Sequence, residues 1–378
     1  MRTVSERWEQ GSDYHWMGLP SPACAKARPW APGLLVSSGR DALRLLLAHG
    51  VREQGWRRLW VPDYSCQDVL AALLQTGVRL HSYPDHPLRR APDLPQARRG
   101  DAILTINYFG LRGPLAVPRR DGVFVIEDHS HDPDSAWAHE SAADYCVVSL
   151  RKAFPLPDGG ALWSPRGHPL PPAPILTAQR RKAAALRLSA MALKAMYLEG
   201  VPIEKDAYLA LAAKAERALA VPGVSAMSDV ARALLASCPV EPWRRAREAN
   251  HAELCRRLSS LRWSRVLLPA ARGGVPFCCA VLVDTAERRE RLRRNLIASR
   301  VYPAVLWPLE ETVLRIRDDA RRVSRRMLAM HCDGRYGPED MRRVADLFAL
   351  AGGERATSAE GSARRSGPKA ARHSLRAG

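Results

Sequence analysis

Lys152 follows an apolar run, Tyr145 to Val148, and stands seven residues before the first glycine of the pair Gly159-Gly160. Asp128 lies 24 residues upstream, at the end of a second apolar run, Val123-Phe124-Val125-Ile126. A lysine amine beside a serine, Ser149, with a carboxylate delivered by a neighbouring strand, can do a particular chemistry. The amine condenses with an aldehyde, and the carboxylate keeps a pyridine nitrogen protonated so that the ring accepts electrons. That is the requirement of pyridoxal phosphate. Taken singly, each residue also has an ordinary reading, the lysine as a solvated edge residue and the aspartate as a turn or helix cap.

Other residue groups bear on the same chemistry. Ser38-Gly39-Arg40-Asp41 ends an apolar run and opens an amphipathic helix carrying Ala42, Leu43, Leu45, Leu46 and Leu47. A glycine there permits close backbone approach, and a helix N-terminus presents free N–H groups to a phosphate. The alternative is a plain strand-to-helix turn with a serine cap. His129, His131 and Asp132 follow Asp128, but no further ligand cluster accompanies them, so no metal site is expected there. Tyr64 and Cys66 lie in Val61-Pro62-Asp63-Tyr64-Ser65-Cys66, where a buried structural tyrosine is the competing reading.

In order along the chain, Ser38 to Leu43, Val61 to Cys66, Asn107-Tyr108-Phe109-Gly110-Leu111, Val125-Ile126-Glu127-Asp128, the Lys152 segment and Asp333 to Met341 form a set of landmarks. With these the chain resembles the DegT/DnrJ/StrS aminotransferases, of the aspartate aminotransferase superfamily (fold type I), from about Leu35 to about Leu350. The resemblance implies that Lys152 holds the cofactor covalently and acts as the general base, and that Asp128 faces the pyridine nitrogen. It implies further that the N–H groups around Gly39, Arg40 and Asp41, with the Ser149 hydroxyl, hold the phosphate. His131 would lie near the phenolic oxygen, and Tyr64 or Cys66 would lie on the ring face. Two positions depart from the family pattern. Val147 stands where many members carry a serine five residues before the lysine, and Val224-Ser225-Ala226 precedes Met227-Ser228 where sugar enzymes carry an Asn and an Arg.

The elements that must position these residues are legible as apolar runs: Leu34 to Val36, Leu59 to Val61, Ala102 to Ile106, Val123 to Ile126, Tyr145 to Val148 and Ala161 to Trp163. They alternate with helical segments such as Gln67 to Leu74. This predicts an α/β fold with a mainly parallel, seven-stranded-type sheet and helices on both faces. Two helices are expected over Thr177 to Ala220, joined near Gly200-Val201-Pro202. A long helix from Pro239 to about Leu261 leads into a smaller C-terminal α+β domain with strands near Phe277 to Val283 and Ala304 to Trp307. The division is an N-terminal arm (1–32), a large cofactor domain (33–238), a small domain (239–350) and a disordered basic tail (351–378).

The chain has 378 residues, 46% hydrophobic, enough for a large core, and a net charge of +19. Only seven of its 58 basic residues are lysines, and the arginines are spread over helices without a nucleic-acid module, so no nucleic-acid partner is expected. No apolar run of about 18 residues spans a membrane, and the first residues lack the apolar stretch of a signal peptide. Eight scattered cysteines without a Cys-x-x-Cys pair argue against a zinc or disulfide framework and suit a reducing cytoplasm. The function expected is transfer of an amino group from an amino-acid donor to a keto or aldehyde acceptor, in a homodimer. The alternatives are a pyridoxal phosphate lyase or dehydratase, or a non-catalytic binding protein that keeps the fold.

Overall fold

The computed structural model describes residues 7–18, 28–269 and 274–353. The first six residues and the tail from 354 onward, including most of the segment expected to be disordered, lie outside the described residues.

The first part of the chain alternates strand and helix: β1 (Leu34–Val36), α1 (Gly39–Gln54), β2 (Arg58–Pro62), α2 (Gln67–Leu73), β3 (Arg79–Tyr83), β4 (Asp101–Ile106) and β5 (Val123–Asp128). It continues through α3 (Ala136–His139), β6 (Tyr145–Val148), α4 (Leu150–Ala153) and β7 (Gly160–Trp163). The strands form one seven-stranded sheet in the order β1-β7-β6-β5-β4-β2-β3. Neighbours from β6 through β3 run parallel, while β7 is antiparallel to both β6 and β1. The sheet is therefore mainly parallel, as the alternation predicts. Every residue of β4, β6 and β7 is buried, the mark of strands covered on both faces.

Alternate residues feed two cores. On one face Leu43, Leu46 and Leu47 of α1 and Leu70 of α2 meet Leu59, Leu104, Ile126 and Val147. On the other, Val125, Cys146, Val148, Ala161 and Trp163 meet α5 (Ala178–Leu198) through Met191 and α7 (Asp229–Ala236) through Ala231 and Leu234. Between those helices, α6 (Lys205–Ala220) packs along α5, giving the two joined helices expected over Thr177 to Ala220. Ser38, Thr177 and Ser228 cap their helices by accepting the third backbone N–H, which explains where each helix starts.

From α8 (Val240–Leu258) onward the chain builds a second core. β8 (Ser264–Val266), β9 (Cys278–Val283) and β10 (Met327–His331) form an antiparallel sheet of three strands in the order β10-β9-β8. α8, α9 (Ala286–Ala298) and α11 (Pro338–Gly352) cover it, and α10 (Asp318–Arg326) leads into β10. The strand expected over Ala304 to Trp307 is instead a single bridge, Ala304 with Ala329. Pro303 and Pro308 flank it and withhold two backbone donors, so the ladder stops after one pair. The strand in this sheet is β10, five residues all buried.

Segments from the N-terminal region lock both parts together. Gln10 bridges to Val301, the Trp16 N–H donates to the Met191 carbonyl, and Arg335 donates to the Gly11 and Asp13 carbonyls.

Candidate active site

The sheet ends its parallel strands on one edge, and the candidate residues collect there. β5 delivers Asp128 at its last position, in register with Val147 of β6, and the chain leaving β6 turns directly into α4, which carries Lys152. A cleft of about 190 Å³ opens at this edge, lined by Asp128 and Lys152 together with Gly39, Arg40, Cys66 and Ser149. Ligand sites of open α/β sheets form at such carboxyl ends.

The turn into α1 is packed against this cleft at contact distance. A Cβ added to Gly39 would stand 3.0 Å from the Ser149 Cβ, and one added to Gly160 would stand 2.4 Å from the Ser38 carbonyl carbon. Position 160 therefore needs glycine, and at position 39 any side chain would press on Ser149. The Ser38 hydroxyl accepts the Asp41 N–H, and the Ser38 carbonyl accepts the Ala42 N–H. The N–H groups of Gly39 and Arg40, at the start of α1, have no carbonyl within the helix to reach. The Arg40 side chain makes no ion pair or hydrogen bond with any described residue, and burial followed by repulsion from Arg151 lowers its pKa. A guanidinium without an ion pair or hydrogen bond among the described residues, free helix N–H groups and the Ser149 hydroxyl are the kind of donors that can hold an anion.

Asp128 is held for a different task. Its Oδ1 accepts the Ser130 N–H at 2.8 Å, while no described residue donates to Oδ2. The Ser130 hydroxyl accepts the Ser149 N–H at 2.8 Å, which ties the strand carrying Asp128 to the segment carrying Lys152. The Lys152 Nζ stands 5.8 Å from the ring centroid of Trp307, which also lines the cleft. The backbone after the lysine is gripped from elsewhere. Tyr14 Oη donates to the Lys152 carbonyl at 3.0 Å, and Trp243 Nε1 and Arg247 Nη2 donate to the Ala153 carbonyl at 3.0 and 3.1 Å.

The remaining sequence candidates stand back from the lining. Asp41 is fully buried, accepting from the Ser37 hydroxyl at 2.6 Å and pairing with Arg180 at 3.1 Å. Tyr64 is fully buried as well, its hydroxyl donating to the Leu306 carbonyl and its ring lying against Tyr108 and Trp307. His131 is buried in an aromatic stack with Phe109, Phe277 and Trp307, at centroid distances of 5.6, 4.8 and 5.6 Å. Burial first, and the nearby Lys152 charge second, push its pKa well below the ordinary value, so the ring is neutral. Nδ1 accepts the Phe109 N–H at 3.1 Å, which leaves the ring hydrogen on Nε2.

Sequence reasoning missed Trp307, Ser130 and the Arg151–Glu216 pair, all on the cleft wall. Arg151 and Glu216 of α6 form a bidentate ion pair at 2.7 and 3.0 Å, closing the side of the cleft next to Arg40. Arg151 stood in plain view beside Lys152, and its neighbour could be identified only in three dimensions. Behind the site, the Ser228 hydroxyl and N–H both donate to the buried Asp158, so the Met227-Ser228 segment braces the loop after Lys152.

No family model matches the sequence, and neither does any curated protein. Solved structures do match the fold. S. venezuelae DesV, in complex with a ketimine intermediate, shares 18% identity over 85% of each chain with a TM-score of 0.57. The aminotransferase TlmJ from Streptoalloteichus hindustanus shares 17% over 84% of this chain and 85% of its own, with a TM-score of 0.57. NtdA from Bacillus subtilis with bound PMP shares 14% over 85% of this chain and 73% of its own, also with a TM-score of 0.57. The large sheet and its helices thus have the fold type I architecture of these proteins.

Proposed function

We propose that this chain is a pyridoxal 5′-phosphate-dependent aminotransferase, moving an amino group from an amino-acid donor to a keto or aldehyde acceptor. The observation that carries the reading is the cleft that brings Lys152, the half-open carboxylate of Asp128 and the anion site at Gly39 and Arg40 together. The same fold in DesV, TlmJ and NtdA supports it, the last with PMP bound. The residues present fit this cofactor on the polar groups alone: donors for an anion, an amine and a carboxylate oxygen without a donor among the described residues.

When bound, pyridoxal phosphate supplies an aldehyde for covalent capture of amines and a ring that withdraws electrons from the bond being broken. Lys152 would be the attachment point for the aldehyde, and its free amine would take and return the proton at the donor carbon. Asp128, whose Oδ2 has no donor among the described residues, would hold the pyridine nitrogen protonated, because a carboxylate raises the pKa of a nitrogen it contacts. Gly39 and Arg40, with Ser149, would bind the phosphate. Trp307 borders the same cleft beside Lys152. The family resemblance adds a homodimer, with DegT/DnrJ/StrS relatives as its kin. The unusual residues before Met227 leave the acceptor class at keto or aldehyde compound.

The test is chemical. Borohydride treatment of cofactor-loaded protein is expected to leave the cofactor mass on the peptide containing Lys152. A panel of amino acids without any acceptor should release about one keto acid per chain and then stop, because nitrogen is stored rather than lost. A label on Lys182 or Lys194 instead, or repeated product release without acceptor, overturns the assignment.

A further inference from the structure

The small domain contains a second cluster of ligand side chains, remote from the cleft. His251 and Cys255 lie one turn apart on α8, and Cys279 faces them from β9. One ligand atom from each lies within 4.8 Å of the other two. Cys255 Sγ stands 3.5 and 3.6 Å from His251 Nδ1 and Nε2. In a tetrahedral zinc site, bond lengths of about 2.3 Å to sulfur and about 2.0 Å to nitrogen place sulfur and nitrogen ligands about 3.5 Å apart. The Cys255–His251 pair already has that separation, and Cys279 completes the group within 4.8 Å. His251 and Cys279 are buried and Cys255 is half-buried, which gives a route of entry from the helix surface. The thiol of Cys332, fully buried, lies near enough to Cys255 and Cys279 for their charges to interact.

We propose that His251, Cys255 and Cys279 form a binding site for a soft divalent cation, zinc being the ion matched to two thiolates and an imidazole. Two thiol protons leave to solvent as two Zn–S bonds and one Zn–N bond form, so the ion's double charge is neutralised by the two thiolates. The sequence gives no hint of this, because no Cys-x-x-Cys pair exists. The i, i+4 spacing of His251 and Cys255 on one helix face supplies half the site, and the strand at Cys279 completes it.

The site has a structural consequence for the cleft. α8 also carries Trp243 and Arg247, which hold the Ala153 carbonyl next to Lys152. A cation bridging α8 to β9 fixes that helix on the small sheet, and with it the backbone beside Lys152.

The experiment uses the full chain, reduced with a phosphine, stripped of metal and titrated with Zn²⁺ or with Co²⁺ as a spectroscopic probe. About one equivalent per chain should bind, the Co²⁺ form should show a thiolate-to-metal charge-transfer band, and zinc should raise the melting temperature. Loss of an outer-sphere partner weakens metal sites by about 10- to 100-fold, so Cys255→Ser and His251→Ala, each removing a ligand, should weaken binding by more than about 100-fold. Far-UV circular dichroism confirms that these variants fold, and Cys238→Ser, a buried thiol of the other core, should bind as the parent does. Three results each overturn the proposal: no zinc bound by the reduced parent, unchanged affinity in folded Cys255→Ser and His251→Ala, or a Cys255–Cys279 disulfide that persists in the phosphine. Cofactor binding plays no part in the readout, so failure here leaves the reading of the cleft standing.

Discussion

At the residue scale, the site separates positions that hold the chain from positions left free to react. Asp128 spends Oδ1 on the Ser130 N–H and keeps Oδ2 open to the cleft. Asp128→Asn should therefore fold normally and retain the cofactor through Gly39, Arg40 and Ser149, but lose turnover by about 100-fold or more, as for removal of a dominant electrostatic contact. Steady-state rates set beside a cofactor-binding titration make the comparison. Turnover near that of the parent would exclude the role given to Asp128. Arg40 offers a sharper contrast, since it lines the cleft and its side chain has no ion pair or hydrogen bond among the described residues. Arg40→Ala should weaken pyridoxal phosphate binding by at least about tenfold, the worth of a charge-assisted hydrogen bond, and leave the binding of unphosphorylated pyridoxal unchanged. Equal losses for both ligands would place Arg40 away from the phosphate.

At the element scale, the cleft depends on how closely α1, α4 and β7 approach one another. The first turn of α1 rests on Gly160 at the start of β7, where an added Cβ would sit 2.4 Å from one backbone atom and 2.6 Å from two others, in Ser38 and Gly39. Backbone cannot give way as a side-chain end does. Gly160→Ala should destabilise the fold by about 1–3 kcal/mol, the usual cost of overpacking, and should weaken cofactor binding by pushing the Gly39 N–H out of place. Urea unfolding and a cofactor titration read the two effects. A variant that binds as tightly as the parent would show that the turn is not part of the phosphate site. The same approach explains Ser149, whose Cβ and backbone leave little room beside Gly39 and whose N–H is held by the Ser130 hydroxyl.

At the scale of the whole molecule, buried ionisable groups set the response to pH. His331 is buried beneath the N-terminal segment, and burial, followed by the charge of Arg335, lowers its pKa from 6.5 to about 4. His131 is lowered in the same direction. Because the folded pKa lies below the unfolded one, the unfolded chain binds more protons across this window. Stability is therefore lost as pH falls from about 6.5 towards about 4, at up to about 1.4 kcal/mol per pH unit for His331. Asp158 acts the other way: burial raises it from 3.8 to about 6, so its contribution declines as pH rises through that interval. His86 is lowered as well and Asp63 and Asp132 are raised, but the ion-paired Glu9, Asp13, Glu216 and Asp333 are also lowered, so the lowered groups prevail and the cofactor-free protein should lose stability on acidification. In urea-unfolding midpoints measured from pH 7 to 4, His331→Gln should show a shallower slope than the parent. An unchanged slope would remove His331 from this account.

The sequence by itself determined what is local or periodic. Apolar runs of three to five residues specify β4 to β7 and the mainly parallel sheet, because a strand covered on both faces is apolar over most of its length. Lys152, Asp128, Gly39, Arg40, Cys66 and Ser149 were legible because each follows a strand or opens a helix, and such positions meet at one sheet edge in any doubly covered sheet. The tertiary structure decided what depends on distant neighbours. Trp307 was read as part of a strand, yet flanking prolines interrupt the ladder and the ring reaches Lys152 instead. Tyr64, His131 and Asp41 sit beside the cleft residues in sequence, but their orientation follows from contacts with Leu306, Phe277 and Arg180, far along the chain. The meeting of His251 and Cys255 with Cys279 is of the same kind. Periodicity describes which face a residue takes, and only packing decides what lies opposite it.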